Sequence, residues 1–236
     1  MLTFTNRWTV IYLLVVLMSI FLLLNEWGLA FMLFKPLILP VLIGYLFIQY
    51  KTYDHQLIPL LLVAVFFSIL GDILIIIPIE KSFFTIIAIC TFIVSQACYG
   101  LMFYLSTAGR SSIGTTSPSL IPELSLAFVF VISVLVIKPY LGNYLFPILI
   151  YAFFNLCSLF FALKRRRYVP TQSFITVMTG LLFFYISDML TAYDLSLENN
   201  IIHACIIASY STAHFLVIKG MMVQIQEEIK EKKTPC

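Results

Sequence analysis

Charge is what this chain has least of. Only 11% of its 236 residues are Asp, Glu, Lys or Arg, against about 25% in a soluble domain, so a soluble globular fold is excluded. No cleavable leader is expected either. Arg7 precedes the apolar run 8–24 and no small-residue cleavage site follows it, so that run is expected to stay in place as a span. The five cysteines form neither a CxxC pair nor a Cys/His set with metal-ligand spacing. Cys90, Cys98, Cys157 and Cys205 fall inside apolar runs and read as packing residues, with Cys236 at the end. The pattern therefore implies no disulfide framework, no metal and no cofactor. A net charge of +3, with no basic stripe interleaved with aromatics, argues against nucleic acid as a partner. No stretch alternates with period two, which argues against an outer-membrane barrel.

What the chain does have is apolar mass in long runs. Hydrophobic residues make up 61% and the mean hydropathy is +1.03. Runs long enough to cross a bilayer fall at 8–24, 33–50, 57–77, 83–105, 120–137, 144–163, 172–193 and 201–223. Turn chemistry or charge separates each pair: NEWG, KTYDHQ, PIEK, GRSSIGTTSPS, KPYLGN, KRRRYVP and DLSLENN. The expected fold is all-α, a polytopic bundle of eight transmembrane helices forming one integral membrane domain over 1–236. Residues 224–236 are expected as a charged, solvated helix end. With eight spans, both termini and the loops after spans 2, 4 and 6 share a side. That side holds eleven of the fourteen Lys and Arg residues, the other only Lys35, Lys81 and Lys138. The bias predicts cytoplasmic termini.

Two acids interrupt these runs. Asp72 stands in FFSILGDILIII and Asp188 in LLFFYISDMLTAY. A carboxylate at a helix centre opposes insertion by about 2.5–3.5 kcal/mol, and such residues characteristically mark functional sites. The alternative is a neutral, hydrogen-bonded contact between helices. Asp72 lies about 22 Å and Asp188 about 24 Å along their spans at 1.5 Å per residue, so both are expected at one level in the outer half of the bilayer. Lys35 is expected near the outer rim. It either snorkels to the interface or neutralises a carboxylate.

Helical spacing adds polar neighbours. Ser68 precedes Asp72 by four residues and Tyr185 precedes Asp188 by three, so each shares a face with its acid. Tyr151 and Asn155 share a face of the sixth span. Gln96 with Tyr99, and Tyr210 with His214, make two further stripes that are expected about 10 Å deeper, as a second tier. Short words also echo between halves: SILGDIL with FYISDML, FKPLIL with LFPILI, and Gln96 with His214. These echoes predict parallel four-helix repeats over 1–105 and 120–223, with the two acids facing a shared cavity.

The ordered set Lys35-Pro36, Gly71-Asp72, Tyr99, Tyr151 and Ser187-Asp188 resembles the YhhN family of integral membrane proteins, the lysoplasmalogenase-like family. One departure stands out. The family's His-x-x-Tyr helix reads QACY here, with Gln96 in the histidine's place, while His214 stands where a glutamine is expected. The resemblance implies a hydrolase that cleaves the vinyl ether bond of a lysophospholipid, a lysoplasmalogen drawn from the lipid bilayer. The products would be a fatty aldehyde and a glycerophospho-alcohol.

An enol ether must first be protonated on carbon, so the chemistry needs one carboxylic acid and one carboxylate, here Asp72 and Asp188 in either order. Lys35, Tyr151, Tyr185, Asn155 and Ser68 would bind substrate or balance charge. The same acids would also serve a proton- or cation-coupled transporter. The spans lack the Gly/Pro-broken helix pairs of that class. A non-catalytic lipid-binding or scaffold protein is the third reading.

Overall fold

The computed structural model describes residues 6–77, 80–110, 121–197 and 199–233. In a bilayer every backbone amide must be satisfied within its own segment, and each long apolar run accordingly forms helix. Nine α-helices follow in order among the described residues: α1 (Asn6–Leu24), α2 (Gly28–Phe34), α3 (Ile38–Thr52), α4 (Leu57–Ile76), α5 (Lys81–Leu105), α6 (Ile121–Ile137), α7 (Leu145–Lys164), α8 (Thr171–Leu197) and α9 (Asn200–Lys233). No strand occurs among the described residues. Helices α2 and α3 make one span, so eight segments are long and apolar enough to cross a membrane. The chain is a multi-pass helical membrane protein.

The second span differs from its expected bounds. It begins at Gly28 rather than near residue 33, and Lys35–Leu37 form a 3₁₀ turn between its two parts. Pro36 causes the turn: without an N–H it cannot continue the α ladder. Lys35 is thereby carried seven residues, about 10 Å, inside the start of its span instead of standing at the rim.

The outer surface is hydrocarbon-like. Leu29, Leu33, Ile121, Leu124, Phe128 and Phe146 are all exposed, as lipid-facing side chains are. Inside, α8 and α9 lie closest. A Cβ added at Gly220 would stand 2.6 Å from Val177 Cγ2 and 2.9 Å from its backbone nitrogen, so only glycine admits this approach. Ser173 Oγ donates to the Gly220 carbonyl at 2.7 Å across the same contact. Helices α4 and α5 also pair along their length, and α5 lies against α7. Helix α9 touches α3 at only a few points, so the fourth and eighth spans have different surroundings.

One end of the bundle is tied by polar contacts. Arg165, in the KRRR run, turns inward and is completely buried. Its Nε donates to Ser106 Oγ at 3.0 Å, and one terminal nitrogen donates to Ser173 Oγ at 3.0 Å and Gln224 Oε1 at 2.6 Å. Glu228 pairs with Arg110 and, at 3.1 Å, with His55. Helix α9 thus runs on past residue 223. The first part of the segment expected as a solvated end, from Gln224 to Gln226, is buried beneath the bundle. Gln224 supplies one of the three polar partners of the inward-turned arginine.

Candidate functional site

The buried residues of α4 are Leu57, Ile58, Leu61, Ala64, Val65, Ser68, Gly71 and Asp72. This is one stripe at spacings of three and four, so the period that packs Leu61 and Val65 also turns Ser68 and Asp72 inward. Gly71 makes room for the Phe92 ring of α5, which lies 2.6 Å from where a Cβ would stand. Asp72 is 8% exposed. The cation acting on it is Lys35, whose ammonium also feels Asp194 and lies 5.9 Å from the centre of the Phe31 ring.

The Tyr210 hydroxyl of α9 is within reach of Asp72 and Ser68 but closes no hydrogen bond of good geometry. It is a buried polar atom held in reserve beside the acid. Ser68 itself is fixed from behind, 2.8 Å from Ser95 Oγ of α5. Tyr210 was expected a tier deeper. The register of α9 against α4 brings it to the acid instead.

Asp188 collects a different set. Asn155 Nδ2 donates to its Oδ2 at 2.6 Å, and the Tyr151 hydroxyl stands 3.0 Å from both carboxyl oxygens. These two residues lie one turn apart on α7, as their spacing implies. Helical spacing puts Gln96 of α5 in the deeper tier as well. Its Nε2 reaches the Tyr151 oxygen at 3.4 Å, and its backbone carbonyl accepts from Ser158 Oγ of α7 at 2.7 Å. The close α5–α7 approach raises Gln96 into the polar shell of Asp188.

Tyr185 does not join this shell. Its hydroxyl bonds to Ser133 of α6. Three residues along a helix leave an offset of about 60°, and here that offset separates a side chain facing α6 from one facing α7. Tyr99 and His214 remain a pair apart, with Tyr99 Oη 3.0 Å from His214 Nδ1. His214 is fully buried between Phe184 and Tyr210, each with its ring centre 4.6 Å away, and its Nε2 has no partner.

The two acids therefore carry separate partner sets. No hydrogen bond or charge interaction joins Asp72 to Asp188 among the described residues. Sequence reasoning missed Ser95, and also the pair at the end of α8 and start of α9, where Asp194 Oδ2 lies 3.8 Å from His203 Nδ1. Asp194 also accepts from the Asn199 amide at 2.9 Å, closing the turn between these helices. A polar residue six positions beyond Asp188 was the available signal. No three His, Cys, Asp or Glu side chains converge as metal ligands among the described residues.

Between them the two clusters offer two carboxyl groups, one ammonium and several hydroxyl and amide groups, all inside apolar helices. That is a constellation for moving protons out of contact with bulk water. Comparison with curated proteins found no match, and neither did comparison with solved structures. The family model for the YhhN family matches residues 30–221, a stretch that takes in Lys35, both acids and every partner named above, and the chain belongs to that family.

Proposed function

We propose that this protein is a lysoplasmalogenase-like hydrolase acting on the vinyl ether bond of a single-chain lipid. The observation that carries the reading is the contrast between the two acids. Among the described residues Asp72 feels the charge of Lys35, while the partners of Asp188 are the uncharged Tyr151 and Asn155. Lys35 balances Asp72 as the carboxylate, and Asp188 serves as the proton donor. Family membership supports the same class of reaction.

Asp188 gives its proton to the vinyl carbon on the chain side, and the ether oxygen takes up the resulting positive charge as an oxocarbenium ion. As Asp188 becomes negative, the bonds from Tyr151 and Asn155 strengthen, which lowers the barrier. Asp72 stabilises the cation and accepts a proton from the water that adds. The hemiacetal then breaks its C–O bond: Asp72 returns its proton to the leaving glycerol oxygen, Asp188 takes the hemiacetal hydroxyl proton, and the fatty aldehyde and glycerol hydroxyl are released with both acids restored. The Tyr210 hydroxyl is positioned to orient that water. The basic end of the bundle, around Arg110 and Arg165, faces the cytoplasm in this reading, and the lipid head group lies at the opposite rim.

The test is product analysis with purified protein and paired lysolipids, one vinyl-ether and one acyl. Aldehyde is expected from the vinyl ether alone. Asp72→Asn and Asp188→Asn are each expected to abolish it while the protein still inserts and purifies. Full activity in either variant would remove the two-acid mechanism, and substrate counterflow without lipid breakdown would favour transport.

A further inference from the structure

Between α5 and α7 lies a groove of about 340 Å³, within the size range of ligand sites. Its floor is made of small residues. At Gly100 an added Cβ would stand 3.1 Å from Ser158 Oγ and 3.5 Å from Ser158 Cα, so the two backbones nearly touch there. Ala97 and Cys157 continue this floor, and the walls are Leu101, Tyr104, Phe154 and Phe161.

The groove is almost wholly apolar, with its polar end at Gln96. Gln96 is the residue that contacts Tyr151, which in turn contacts Asp188. From Gln96 to Tyr104 the groove follows α5 for eight residues, about 12 Å, leading away from the acid. At the far end the Tyr104 and Phe161 rings meet edge to face, 5.4 Å between centres, and bound it.

We propose that this groove receives the hydrocarbon chain of the substrate and sets which chain lengths are turned over. The inference rests on the hydrolase reading for the identity of the lipid. The groove itself follows from its shape and its continuity with the Asp188 shell. A chain seated there has its first carbons at Gln96, which is linked to the Asp188 carboxyl through Tyr151 by contacts of 3.4 and 3.0 Å. The glycerol and head group then point toward Lys35. Because the groove opens sideways to the bilayer, a single chain enters without leaving hydrocarbon. Two chains would not share a trench walled by four large side chains.

Chain-length preference and photolabelling test this together, with the whole protein in lipid nanodiscs. In Ala97→Phe a ring fills the trench without touching either acid. The ratio of kcat/KM for a long-chain over a short-chain lysoplasmalogen is expected to fall about tenfold, or about 1.4 kcal/mol. Phe161→Ala, which opens the far end, is expected to raise the same ratio. A lysophosphatidylethanolamine with a diazirine near its chain end is expected to label residues 97–104 and 154–161, and unlabelled single-chain lipid is expected to compete.

An unchanged ratio in both variants overturns the proposal. So do adducts scattered over all exposed helices, a result that needs no variant to fold. If labelling is confined to the groove but no vinyl ether is cleaved, the chain site stands and the hydrolase reading falls.

Discussion

Replacing Tyr151 by Phe tests how Asp188 works. The hydroxyl lies 3.0 Å from both carboxyl oxygens, and no other hydroxyl bonds to this acid among the described residues. In the proposed reaction the carboxyl is neutral at the start and the bond is worth about 1 kcal/mol; after proton transfer the partner is charged and the bond is worth about 1.5–3 kcal/mol. The difference, about 0.5–2 kcal/mol, is lost from the transition state alone, so kcat is expected to fall about 2- to 30-fold. Thermal stability in detergent should drop by the smaller ground-state amount, about 1 kcal/mol.

Asn155→Leu removes the shorter contact, at 2.6 Å, and should slow turnover at least as much. Tyr185→Phe is the control, since its hydroxyl serves Ser133 on α6. The assay is initial-rate aldehyde release at saturating lysoplasmalogen. An unchanged kcat in Tyr151→Phe, or a larger loss in Tyr185→Phe, refutes the reasoning.

Other positions give separate checks. Lys35→Met leaves Asp72 without its cation and should abolish turnover, whereas Lys35→Arg should retain part of it in the same assay. Gln96→Leu removes the donor to Tyr151 and should lower kcat by a few-fold, while Gln96→His, which restores a ring donor there, should lower it less. Gly220→Leu forces a side chain against the Val177 backbone and should lower the thermal midpoint sharply, as overpacking by about 1–3 kcal/mol or more predicts. Arg165→Ala leaves Ser106, Ser173 and Gln224 without their shared donor and should cost about 3 kcal/mol in denaturation, with catalysis by the folded fraction unaltered.

Much of the architecture was legible in the residues. A run such as 57–77 is too long and too apolar to be anything but a span, and the observed α4 ends within one residue of it. The Ser68–Asp72 and Tyr151–Asn155 pairs were legible for a similar reason, because spacing along one helix is a local property. The proline turn at Lys35–Leu37 was harder to read. The KP word was visible, but hydropathy could not show that helix had already begun at Gly28. Arg165 was hidden altogether. Nothing in KRRR distinguishes the arginine that is fully buried from Arg166, half-buried beside Glu123, because the partners Ser106, Ser173 and Gln224 come from three other segments.

The division follows the range of the forces involved. Hydrophobic length, backbone satisfaction in lipid and helical period act within a segment, and they determined the eight spans, the buried stripe of α4 and the presence of two intramembrane acids. Which helix lies against which, and at what register, depends on contacts between residues far apart in the chain, such as Gly220 on Val177 and Gly100 on Ser158. Only that packing decided that Tyr210 reaches Asp72, that Gln96 reaches the shell of Asp188, and that Tyr185 is turned away.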